Sequence, residues 1–173
     1  MLADAGYPDG VSITAALPAS ATSSAVGAAL VSGLGPAGFH LTVRTLADYY
    51  PAVGVPSRQP DLVSYAWSPD WPTASAVIPP LFTCAALTPT GNRNVANHCD
   101  RGFDAQVSAG LADPDRDHRA RIWSALDRRL VEEAIVVPRG FGVASAPVGA
   151  RVGHARSSLV YGGLVDLVNL TLR

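Results

Sequence analysis

"VSITAALPASATSSAVGAALVSGLGPAGFHLTVRTL", Val11 to Leu46, decides the fold. Its opening places Val11, Ile13, Ala15 and Leu17 on one side at period two, the pattern of a strand with a buried face. A small-residue helix is predicted next, over about Ala21 to Leu34. Val26, Leu30 and Leu34 form its stripe, and Gly35-Pro36 stop it. "FHLTVRTL" alternates again, with Phe39, Leu41, Val43 and Thr45 on one face. Strand, helix and strand in this order make a βαβ unit, so the two strands are expected to be parallel.

Working outward, "ADYYPAV" reads as a short helical turn. "PDLVSYAW" is a nearly continuous apolar run, as expected of a strand covered on both faces. Residues 83–102 carry little periodicity and are rich in Asn, Thr, Gly and Pro. This predicts a long loop, and long loops in compact domains are usually functional or disordered. Phe103, Val107 and Leu111 step by four and predict a helix. In "ADPDRDHR" Asp113 is expected to cap a second helix, with Pro114 in its first turn and Asp115 and Asp117 at the positive end of the dipole. Ile122, Leu126, Leu130 and Ala134 are its predicted buried stripe, leaving Arg119, Arg128 and Glu132 to solvent. "AIVVPRGFGVAS" and the end of "VYGGLVDLVNLTL" read as strands. The expected class is α/β.

The chain has 173 residues, 48% hydrophobic and 16% charged. That is enough for one ordinary domain, burying roughly 70% of its unfolded surface. The formal net charge of −1 lacks the signature of nucleic-acid or anionic-membrane binding. All 13 basic side chains are Arg, and they are dispersed. No apolar run reaches the ~18 residues of a membrane span. "MLADAGYPDG" has neither the basic nor the apolar region of a signal peptide. The two cysteines, Cys84 and Cys99, share one irregular segment. A bridge between them fits an oxidising compartment, and two free thiols are the alternative.

Chemistry is sparse. No G-x-S-x-G is present, and His40, His98, His118 and His154 lack the context of a catalytic base and read as surface residues. Cys84, His98 and Cys99 do not have zinc-ligand spacing, and no fourth ligand is evident, so no metal is expected. "GLGPAG" follows a helix, not a strand, and reads as a cap and turn; no cofactor motif is found. Glu132-Glu133 and the Asp113/Asp115/Asp117 run read as solvated charges. One carboxylate stands out. In "WSPDWP" Asp70 lies between Trp67 and Trp71, with no arginine between Arg58 and Arg93. A carboxylate partly desolvated by two indoles is costly unless paired. Asp70 is therefore either a turn residue facing water or the partner of a cation arriving from outside. An ammonium suits it, through charge-assisted hydrogen bonds and the indole faces.

Four stretches in order carry a resemblance: "LADAGYPDGVSIT", "GLGPAGFHLTVRTLADYY", "DLVSYAWSPDWPTASAVIPPLF" and "NRNVANHCDRGFDAQVSAGLADPDRDHRARIWSALDRRLVEEAIVVPRGF". Together they resemble the C-terminal part of family 5 extracellular solute-binding proteins of ABC transporters, the oligopeptide/dipeptide-binding type. The resemblance implies a partial two-lobed periplasmic-binding-protein-like fold (type II), mainly the second lobe. Residues 1–135 would form most of that ligand-binding lobe. Residues 136–173 would be a tail returning to a first lobe outside this chain. It also implies a receptor and not an enzyme. The receptor would be a monomer that captures a peptide or similar small solute and delivers it to an ABC permease with its ATPase. The parent would be extracytoplasmic, in the periplasm or anchored at the outer face of the membrane. In peptide-binding members the aspartate matching Asp70 holds the ligand's α-ammonium. Trp67 and Trp71 would lie by the ligand, Asn94 matches the asparagine of the loop before the paired helices, and Cys84 and Cys99 match positions that often pair. Where many members have a second acidic residue and a proline, this chain has Thr73-Ala74. The alternative is a non-binding truncated remnant or a stand-alone α/β interaction module.

Overall fold

The computed structural model describes residues 2–139, 145, 147–158 and 164–172. Its elements run β1 (Val11–Pro18), α1 (Ser23–Leu34), β2 (Phe39–Leu46), α2 (Tyr49–Val53), β3 (Leu62–Val63), α3 (Ile78–Phe82), α4 (Arg101–Ala112), α5 (Arg116–Glu132), β4 (Val152–Gly153) and β5 (Thr171–Leu172). The chain divides into two compact units: Met1–Tyr65 with Ala85–His98, and Ala66–Cys84 with Cys99–Arg173. The boundary read from the sequence, at residue 135, lies inside the second unit.

The first unit is built on a three-stranded sheet in the order β2-β1-β3. Both pairings are parallel, with Val11 beside Phe39 and Ala15 beside Leu62, as the βαβ reading requires. β1 is the central strand, paired along both edges, and its second half is covered on both faces. Ala15, Ala16 and Leu17 are all buried, where strict alternation predicts every second one. The start of the pair is set by two glycines. Gly10 and Gly38 have φ of +85° and +91°, and a Cβ on Gly10 would stand 2.4 Å from the Gly38 carbonyl oxygen. Only glycine permits that approach, which brings Val11 N–H to the Gly38 carbonyl at 3.0 Å.

β3 is shorter than its apolar run predicts. Ser64 N–H still reaches the Ala16 carbonyl, at 3.3 Å. The Ser64 carbonyl, however, accepts from the Tyr49 hydroxyl instead of a strand, and so does the Ala16 carbonyl. A buried tyrosine thereby ends the ladder. It packs with Ala16 and Val53 as the core of this unit, joined by Leu46, Val63 and Val95.

The second unit is centred on α3, α4 and α5. Phe103, Val107, Leu126, Leu130, Trp123 and Ile78 form its core. Leu111 is not part of it, being 57% exposed. At 3.6 residues per turn the inward position after Val107 is 110, and Gly110 takes it. A Cβ there would meet the Trp123 ring at 3.1 Å, so the glycine sets how closely α4 and α5 approach.

α4 is capped by Asp100, whose carboxylate accepts from Phe103 N–H at 2.6 Å. α5 is capped by Asp115, which accepts from His118 N–H at 2.6 Å, and not by Asp113 as expected. Asp113 instead joins the two helices: it accepts from Asp115 N–H at 2.8 Å and contacts His118 Nδ1, while its carbonyl accepts from Arg119. The stripe of α5 ends at Leu130. Ala134 lies beyond the helix, exposed and left-handed at φ 56°. Ile135 and Val136 follow it back onto the core, both donating N–H to the Leu130 carbonyl. Residues 134–139 therefore form no strand, and 140–144 lie outside the described residues. The final predicted strand is present as β5, paired antiparallel with β4.

Candidate functional site

The stretch from Ala66 to Thr73 has no regular structure, yet it is tethered on both sides of Asp70. Trp67 is half-buried and donates its indole N–H to the Ala76 carbonyl at 2.8 Å. Trp71 is 48% exposed and donates to Ser75 Oγ at 2.8 Å. Ser75 Oγ in turn lies 2.6 Å from Thr73 Oγ1. Both indoles are thus held by the same short 3-10 turn, Ala74–Ala76. The loop between them is a presented feature and not a loose connection.

Asp70 is exposed and has no hydrogen bond or ion pair among the described residues. The expected desolvation between two indoles is not found, because both rings turn toward Ala76 and Ser75. The carboxylate faces water and carries no burial cost here. It remains an acceptor of full capacity flanked by two anchored aromatic residues. Beside Trp71 runs a shallow groove of about 440 Å³, lined by Thr73, Ser75, Leu111, Arg116 and Arg119 among others.

Asn94 is placed differently. It belongs to the first unit and is fully buried. Its Nδ2 donates to the His98 carbonyl at 2.7 Å and its Oδ1 accepts from His98 N–H at 3.1 Å. Asn92 braces the same turn by donating to the Asn94 carbonyl at 2.8 Å and to Asn97 Oδ1 at 3.1 Å. Asn97 donates to Gln59 at 2.5 Å. The asparagine-rich segment is therefore an ordered loop whose amides satisfy one another. Side-chain amides can replace the missing strand or helix partners of a loop backbone. His98, expected at the surface, is buried within it.

Cys84 and Cys99 form a disulfide with Cα atoms 4.4 Å apart. It closes the base of the segment 85–98, joining the residues that flank it. Asp104 accepts from Cys84 N–H beside the bridge, at 3.3 Å. Among the described residues no group of His, Cys, Asp or Glu is placed to hold a metal ion, and no helix is long and apolar enough to cross a membrane.

Sequence reading singled out the carboxylate but missed the aromatic residues at the ends of the parallel strands. Tyr50 and Tyr65 come together edge to face, ring centroids 5.8 Å apart. The only available signal was their position just after predicted strands.

No protein-family model and no curated protein matches the chain. Solved structures do, and they define its class: an α/β chain with the periplasmic-binding-protein fold, of which it covers a part. A dipeptide-binding protein from Pseudoalteromonas sp. SM9913, in complex with Met-Leu, matches 99% of this chain with TM-score 0.77 and 21% identity. The clavulanic acid biosynthesis oligopeptide binding protein 2 matches 78% of it with TM-score 0.65 and 29% identity. MoaA from A. tumefaciens R10, in complex with mannopinic acid, matches 78% with TM-score 0.66 and 17% identity. This chain spans about a quarter to a third of the length of these structures: 34%, 26% and 27%. The resemblance to the dipeptide- and oligopeptide-binding type is met at the level of the fold.

Proposed function

We propose that the chain is most of the second, ligand-binding lobe of a family 5 solute-binding protein of an ABC importer, and that Asp70 takes the ammonium of a peptide or similar small solute. The observation that carries this reading is the tethered loop: an unpartnered, exposed carboxylate flanked by two indoles whose N–H groups are both engaged. The indole faces can then receive the carbon atoms around a cationic nitrogen, adding cation–π attraction to the charge pair. Two of the similar structures bind a dipeptide or an oligopeptide by name, and a third holds mannopinic acid. A peptide is therefore the leading ligand class.

Asn94 serves this function indirectly, by shaping the loop 91–98. Residues 136–173 return to a first lobe. Leu164, Leu167, Val168 and Leu172 are strongly exposed, and this exposed apolar surface supports the reading. Lobe closure on the solute is a hinge motion that a permease with its ATPase can read. The parent works as a monomer outside the cytoplasm.

The test compares Met-Leu with N-acetyl-Met-Leu, followed by the indole N–H resonances of Trp67 and Trp71. The free amine is expected to bind about fivefold or more tightly, as an exposed charge pair worth ~1 kcal/mol requires. Asp70→Asn should abolish that preference. Equal binding of the two peptides by the unaltered chain rejects the ammonium role.

A further inference from the structure

The groove beside Trp71 is built wholly from the second unit. Arg116, Arg119, Ala120 and Trp123 line it from α5, at i, i+3, i+4 and i+7, which is one face of a helix. Gly110 and Leu111 line it from the end of α4, and Trp71 from the tethered loop. Its volume of about 440 Å³ falls within the roughly 300–1,000 Å³ of small-molecule sites.

Two features of this groove serve no purpose in the fold. The first is an indole N–H. Trp123 is only 8% exposed, and its Nε1 makes no hydrogen bond among the described residues. No buried side-chain nitrogen or oxygen there lacks a partner, so the small exposed part of the ring includes that nitrogen. The ring atoms on that side, Cε2 and Cζ2, are the ones nearest Gly110, which lines the groove with Trp123. An unpartnered donor therefore opens on the groove.

The second feature is a pair of cations. Arg116 is exposed and makes no hydrogen bond or ion pair among the described residues. It is the first residue of α5, where the helix dipole disfavours a cation. Arg119 adds a like charge one turn on. Its Nη1 donates to the Asp113 carbonyl at 2.8 Å, which holds the guanidinium in place; its other N–H groups make no hydrogen bond among the described residues. The nearby carboxylates are engaged at the helix junction, Asp115 as the cap and Asp113 with Asp115 N–H and His118. Among the described residues no acidic side chain lines the groove.

We propose that this groove is a binding site for an apolar carboxylic acid. Arg116, Arg119 and the Trp123 N–H hold the carboxylate, and Trp71 and Leu111 receive the apolar group. Guanidinium groups and an indole N–H donate and do not accept, so the set selects an acceptor-only group. Trp71 offers its ring because its own N–H is turned to Ser75, and Leu111 is 57% exposed. The site needs the opposite ligand charge from Asp70. That a small solute supplies the carboxylate rests on the solute-binding reading; the donor set does not.

The probes are 4-phenylbutyrate and its neutral amide, titrated into the full chain while the indole N–H resonance of Trp123 is followed. The acid is expected to bind about fivefold or more tightly than the amide. Arg116→Gln should remove most of that preference without lowering the unfolding midpoint, because Arg116 has no partner to lose. Leu111→Ser should weaken acid and amide alike. Equal binding of the two probes, no movement of the Trp123 resonance with the acid, or an undiminished preference in Arg116→Gln overturns the proposal. So does a Leu111→Ser variant that binds both probes as the parent does. Neither probe carries an amine. An acid preference here, with Met-Leu and its acetylated form binding alike, sinks the ammonium role of Asp70 and leaves the groove standing. The reverse pattern sinks the groove alone.

Discussion

Two glycines in helices show how much a single methyl group depends on its surroundings. Gly110 faces Trp123, and an added Cβ would lie 3.1 Å from the indole and 3.2 Å from Ile122. Gly33, in α1, has nothing within 4 Å of the same position. Alanine gains up to ~1 kcal/mol over glycine from helix propensity, and overpacking a core costs ~1–3 kcal/mol. Gly110→Ala should therefore lower stability by about 1 kcal/mol, and Gly33→Ala should raise it by up to ~1 kcal/mol. Urea denaturation of the two variants checks both, and a stabilised Gly110→Ala would mean that α4 and α5 can separate freely. The sequence alone shows two similar glycines. It likewise shows Asp70 between two tryptophans, but not that their N–H groups turn away from it.

The helices carry their charges where the ends need them. Asp100 caps α4, and its carboxyl is held below the usual range by Phe103 N–H first and then by Arg129. Asp113 is lowered mainly by His118. A carboxyl whose folded pKa is depressed adds stability above its unfolded value of ~3.9, and that stability disappears as pH falls through the lower folded value. The chain should hold its stability down to about pH 5 and then lose it steadily on further acidification. Asp100→Asn keeps a capping oxygen but no titrating charge, so it should be less stable at pH 7 and lose less on acidification. Thermal unfolding from pH 7 to pH 3 measures this, and parallel curves for variant and parent would rule out a titrating cap. The "ADPDRDHR" signal predicted a helix start correctly, yet Asp113 and Asp115 are two equivalent caps on paper. The contact of Asp113 with His118 leaves Asp115 to accept the first free N–H.

At the scale of the molecule, the disulfide closes a segment that belongs to the other unit. The chain-entropy argument gives about 3 kcal/mol for a loop of this length. Reduction, or Cys84→Ser with Cys99→Ser, should lower the denaturation midpoint accordingly. It should also open residues 85–98 to proteolysis before the rest. If cleavage and midpoint stay unchanged, the asparagine network holds the segment without the bridge. Exposed apolar residues are concentrated after Val136, with Val168 at 91% and Leu172 at 87%, which marks the tail as the part of this chain least served by its own core.

Local patterns needed only the sequence. Alternation and glycine placement determined β1, α1 and β2 and their parallel pairing, because period and turn chemistry act within a few residues. The four resembling stretches identified the fold, and Asp70 was legible as a carboxylate with no near cation. Tertiary structure decided what depends on contacts between distant segments. It made Ala16 as buried as Ala15, ended β3 at a tyrosine hydroxyl and put Gly110 where Leu111 was expected. It turned Asn94 inward to hold its own loop, and it brought Tyr50 against Tyr65. None of these is a property of a window of residues. Each follows from which partner a buried polar group or a ring finds once the chain has closed on itself.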